Sequence, residues 1–78
     1  MALVRKIKFE SNLPGALHPT ETLCKVRVFG EADQRVLQLS TVGSEEREHK
    51  GQTSQTIQFD HNAVQQLMQF LSKEFGNA

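Results

Sequence analysis

The sequence predicts an α+β fold: a four-stranded antiparallel sheet in meander order, with one C-terminal helix packed across one face. Three observations predict it. Four short stretches alternate apolar and polar residues with the two-residue period of a half-buried strand. One longer stretch then repeats its apolar residues at helical spacing. Between the second and third stretches lies a short polar connection containing glycine, too short for a parallel crossover.

The first strand is expected over residues 4–9, with Ile7 and Phe9 on one face and Lys6 and Lys8 on the other with Val4. Leu13-Pro14-Gly15 reads as a turn, and the loop continues to Thr20, because Pro19 disfavours helix at His18 and cannot donate to a ladder. The second strand, 23–29, turns Cys24, Val26 and Val28 one way and Lys25 and Arg27 the other. Residues 30–34 make a hairpin connection into a third strand, 35–42, with Leu37, Leu39 and Thr41 inward and Gln38 and Ser40 outward. Residues 44–53 hold no apolar side chain and cannot contribute to a core. The fourth strand, 54–59, places Ile57 and Phe59 inward and Thr56 and Gln58 outward.

A helix over 61–75 has the firmest local signals. Asp60 is a suitable N-cap and Gly76 stands where a left-handed C-terminal residue belongs. Ala63, Val64, Leu67, Met68, Phe70, Leu71 and Phe75 spread over an arc of roughly 160°, wider than one sheet face requires. The expected cover for the spare width is the same helix in a second copy, giving a homodimer through the C-terminal helix; the alternative is the chain's own Pro14–Pro19 loop. The expected inward set is Ile7, Phe9, Val26, Val28, Leu37, Leu39, Ile57, Phe59, Val64, Leu67, Met68 and Leu71.

Composition narrows the function classes. The chain of 78 residues reads as a single domain near the lower size limit for folding without staples. Its single cysteine forbids an internal disulfide and suits a reducing cytoplasm. No apolar run approaches the ~20 residues of a membrane span. Formal charge is balanced, which gives no global pull toward nucleic acid. Catalysis has little support, and no cofactor is expected: Cys24 lies among strand apolar residues, where a thiol is an inert small hydrophobe. His18, His49 and His61 lack the spacing of a zinc site, and Glu45, Glu46 and Glu48 lack the pattern of a calcium loop.

Charge placement carries the functional expectation. The outward strand positions are Lys6, Lys8, Lys25, Arg27, Gln38, Ser40, Thr56 and Gln58, with no carboxylate among them. Such a face is ordinary for a one-layer antiparallel sheet with water on one side. It is also a plausible seat for a polyanion, although only Phe29 offers a platform for base stacking.

A strand over Arg35 to Thr41, a charged loop holding Lys50-Gly51, the short strand Ile57-Gln58-Phe59 and a Leu-containing helix from Val64 to Phe75 follow one another in that order. This order resembles the single-stranded-DNA-binding domain of the transcriptional coactivator positive cofactor four over about the last half of the chain. The resemblance implies a curved sheet, dimerisation through helices, and single-stranded nucleic acid lying across the sheet. Carried over, it makes Lys25, Arg27, Lys50 and Gln38 contact residues. In that family the Lys-Gly pair abuts the last strand, whereas here Gln52 to Thr56 intervenes. The expectation is therefore a non-catalytic domain binding single-stranded DNA or RNA through Lys6, Lys8, Lys25, Arg27, Gln38, Ser40, Lys50 and Gln58. The alternative is a small protein-interaction module that does not bind nucleic acid.

Overall fold

A computed structural model describes residues 1–10, 13–42 and 53–76. The strands are β1 (Ala2–Val4), β2 (Cys24–Phe29), β3 (Val36–Val42) and β4 (Thr53–Phe59), and the helix α1 is His61–Phe75. A single 3-10 turn, Ala32–Gln34, lies between β2 and β3.

The sheet is mixed, in the order β1-β4-β3-β2, and is not the expected antiparallel meander. β2 with β3 and β3 with β4 are antiparallel, the first as its short connection requires. β1 instead pairs parallel to β4 on the far edge. The long connection from β1 to β2 makes this possible, since it can cross the sheet from one edge to the other. The expected strand 4–9 is displaced to Ala2–Val4, and residues 5–10 carry no strand. The other boundaries shift by one residue, and the helix spans the expected residues.

Local chemistry explains the two tightest connections. Asp60 accepts a hydrogen bond at 2.9 Å from the Ala63 backbone N–H, capping α1. Its own N–H donates to the Val4 carbonyl, so one residue joins β4 to the helix and anchors β1. Gly30 has φ +88°, and a Cβ there would lie 2.5 Å from the Gln34 carbonyl oxygen, so the β2–β3 connection requires glycine. Arg35 closes the same turn by donating to the Gly30 carbonyl at 3.1 Å.

Strand register sorts the side chains into rows. On one face run Ala2–Ile57–Leu39–Val26 and Val4–Phe59–Leu37–Val28, followed by Gln55–Thr41–Cys24. On the other run Leu3–Gln58–Gln38–Arg27 and Thr56–Ser40–Lys25, with Phe29 opposite Val36 at one end and Val42 at the other. The alternation therefore agrees with the sequence. Its facing does not.

The helix covers the polar rows. Ser40 and Val42 are the buried residues of β3, at 7% and 8% exposure. Gln38, Thr56 and Gln58 are half-buried on the same side. The first helical turn, at His61 and Asn62, lines a cleft with Leu3 and Val36, which share that face. Ala63 is fully buried, and Val64, Leu67 and Phe70 are half-buried. Phe9 reaches the helix from the N-terminal segment and stacks on Phe70, with ring centroids 4.6 Å apart.

The expected inward set is thus corrected. Val26 and Val28 are exposed at 61% and 49%, and Ile57, Phe9, Met68 and Leu71 are exposed as well. Ile7, Leu37, Leu39, Phe59, Val64 and Leu67 are half-buried. The physical reason is the connection at Asp60. With one extended residue between strand and helix, backbone direction sets the side on which α1 lands. Apolar residues flank the polar rows on this side, with Leu3 and Val36 beside the first helical turn and Phe9 stacked on Phe70.

Candidate functional site: two faces of one sheet

The described cations of the proposed set lie in two pairs on different segments of the chain. Lys25 and Arg27 are exposed on β2, opposite Ser40 and Gln38 respectively. Lys6 and Lys8 are exposed in the segment between β1 and the Phe9–Phe70 stack. Lys6 and Lys8 thus follow β1, which lies on the sheet edge opposite β2. Lys50 falls outside the described residues.

The polar members of the set bond to one another. Gln58 Nε2 donates to Gln38 Oε1 at 2.8 Å, and the Ser40 and Thr56 hydroxyls lie 3.1 Å apart. These are the pairs that half-buried polar groups under a helix need, since an unmade bond there costs about 1–3 kcal/mol. A hydroxyl buried as deeply as that of Ser40 cannot also contact a ligand lying on the sheet surface. What remains open on this face is the β2 rim, with Lys25, Arg27 and Phe29, the last exposed at 43%. Neither cation is in an ion pair with a described residue, whereas Arg5 pairs with Asp60 at 3.5 Å.

Cys24 is exposed, and its Sγ lies 3.8 Å from the Lys25 carbonyl oxygen. His18 accepts from the Thr20 backbone N–H at 3.0 Å within the β1–β2 connection, away from the cysteine in chain position and partners. No three His, Cys, Asp or Glu side chains among the described residues are grouped to hold a metal ion. Among them, too, no helix is long and apolar enough to cross a membrane.

The surface that sequence reasoning missed is the apolar one. The rows Ala2–Ile57–Leu39–Val26 and Val4–Phe59–Leu37–Val28 cross all four strands without a charged residue. Next to them, Met1, Ala2, Cys24, Leu39, Thr41 and Ile57 line a shallow depression that no helical residue enters. A signal was present in the sequence: Val36 and Val42 share parity with Gln38 and Ser40, and Phe29 with Lys25 and Arg27. Each end of the supposedly outward face was therefore apolar, as a helix-covered face must be at its margins.

No family model, no curated protein and no solved structure matches this chain. The likeness to the positive cofactor four domain accordingly rests on the order of elements in the sequence.

Proposed function

We propose that the protein is a non-catalytic interaction domain that works through surfaces, without an active-site cleft. One observation carries this reading: a charge-free, two-row apolar sheet face on which no described element packs. Folded monomers seldom expose contiguous apolar patches beyond a few hundred Å², and larger ones mark interaction sites. The lone thiol of Cys24 suits a reducing cytoplasm as its place of work. A fluorescent dye that brightens on apolar surface tests the reading at concentrations low enough to hold single chains. Wild type should enhance its emission, and Val26→Glu should reduce that enhancement. Dye emission that stays at the buffer level would count against an open apolar face.

A second reading keeps single-stranded nucleic acid as the ligand, confined to the β2 rim. It is favoured by the exposure of Lys25 and Arg27 on an edge strand, outside any ion pair with a described residue. Two neutralised phosphates correspond to a log–log salt slope of about −1.4 for single strands. The Lys25→Ala, Arg27→Ala double variant should abolish that slope in an oligonucleotide titration followed by amide shifts. Equal affinity and slope in the double variant would remove β2 as the contact.

A further inference from the structure

We propose that the uncovered sheet face is occupied by a second copy of this chain, the two sheets packing face to face about a two-fold axis. The inference rests on the interaction-domain reading and names its partner.

The face is chemically suited to its own duplicate. An isologous interface sets a surface against itself, so any charge at its centre would meet a like charge. Rows Ala2–Ile57–Leu39–Val26 and Val4–Phe59–Leu37–Val28, with Cys24, Thr41 and Gln55 beside them, contain none. Sheets stacked at ~10 Å interdigitate the inner side chains of such rows into a core.

The chain itself offers no adequate cover. Residues 43–52, the longest stretch outside the described residues, contain no apolar side chain and cannot replace one face of a core. The β1–β2 connection has apolar residues, but Leu13, Leu17 and Leu23 are exposed at 66%, 98% and 66%, so they are not packed on the sheet.

Area points the same way. The accessible surface is 6958 Å², whereas a folded monomer of 8.8 kDa is expected to expose about 4,800 Å². The excess of roughly 2,200 Å² is well above the ~800 Å² that each partner contributes to a standard interface.

A competing dimer uses the helix. Met68, Leu71 and Phe75 form an exposed stripe beside the more buried Ala63, Val64, Leu67 and Phe70, and Phe75 is exposed at 81%. That stripe is one residue wide and is flanked by His61, Ser72 and Glu74, whereas the sheet face is two rows deep across four strands.

Sedimentation over a range from low micromolar to several hundred micromolar, on the full chain, decides between them. Wild type should show a concentration-dependent monomer–dimer equilibrium. Val26→Glu with Ile57→Glu should raise the dissociation constant about a hundredfold or more, as loss of two central anchors does. Val26→Thr with Ile57→Thr retains β-branched shape and should give a smaller rise, which keeps the test valid if the double glutamate variant folds poorly. Met68→Glu with Phe75→Asp should leave the dimer intact. Cys24, beside the rows, should react more slowly with a thiol reagent as wild-type concentration rises. A dimer that survives both sheet-face variants, or that Met68→Glu with Phe75→Asp dissociates, overturns the proposal. So does a wild type that stays monomeric. In that last case a freely reacting Cys24 leaves the interaction-domain reading standing with another partner, and a protected Cys24 removes that reading too.

Discussion

Asp60 concentrates more of the structure than any other single residue. Its carboxylate caps α1 through the Ala63 N–H, its other oxygen meets Arg5 at 3.5 Å, and its backbone ties β1 to the helix start. The cap is the stronger of the two side-chain interactions, because Arg5 is 75% exposed and surface ion pairs are worth about 0–1 kcal/mol. Asp60→Ala should therefore lower stability by about 1–2 kcal/mol in chemical denaturation, and Asp60→Asn should recover most of it. Arg5→Ala should cost less than either measurement resolves easily. Gly30, by contrast, has no substitute. Gly30→Ala should destabilise by at least about 1 kcal/mol, since the new Cβ meets backbone at 2.5 Å and φ is +88°. A neutral result at Gly30 would mean that the β2–β3 turn adopts another shape in solution. Both residues were visible in the sequence, Asp60 as a cap and Gly30 as a turn signal, because capping and turn chemistry are local.

At the scale of elements, alternation was legible and facing was not. Within β2, β3 and β4 the residues that share a face are those the sequence predicts. Period two only says that Leu37, Leu39 and Ile57 share a side; which side receives the helix depends on how the chain leaves β4. The parallel pairing of β1 was hidden for a similar reason, since edge choice is decided by a connection with no periodic signal. The consequence for the candidate site is direct. Gln38, Ser40 and Gln58 are drawn from a surface role into bonds beneath α1, Lys25 and Arg27 lie on the β2 edge, and Lys6 and Lys8 lie outside any strand. A double-mutant cycle examines this at the Gln pair. Gln38→Leu alone should cost about 1–3 kcal/mol by leaving Gln58 without its partner, and the Gln38→Leu, Gln58→Leu double variant should be close to neutral. Were the face solvated, each single change would be small and the two would add.

At the scale of the whole molecule, one chain is an incomplete layer structure. Stable domains bury both faces of an apolar-sided sheet or leave a polar side to water. Here the polar side is covered and the apolar side is not, and the radius of gyration of 14.7 Å exceeds the ~11.5 Å of a compact chain this long. A second copy on the open face restores the rule as helix, sheet, sheet, helix. Stability should then rise with protein concentration, because association favours the folded chain by mass action. A denaturation midpoint that does not move between dilute and concentrated samples would speak against an assembly that completes the core. The same arrangement leaves the β2 edges, with Lys25 and Arg27, outside the sandwich, so self-association and an anionic ligand at the rim are compatible.

Isotope-filtered NOE spectroscopy on an equal mixture of labelled and unlabelled chains, at a concentration where association is complete, addresses the facing of the sheet most directly. Methyl groups of Val26, Val28, Leu39 and Ile57 should show contacts between chains, and those of Val42 should show contacts to α1 of the same chain. Contacts from Leu67 or Phe70 to Val26, Leu39 or Ile57 within one chain would place the helix on the opposite side and contradict the account.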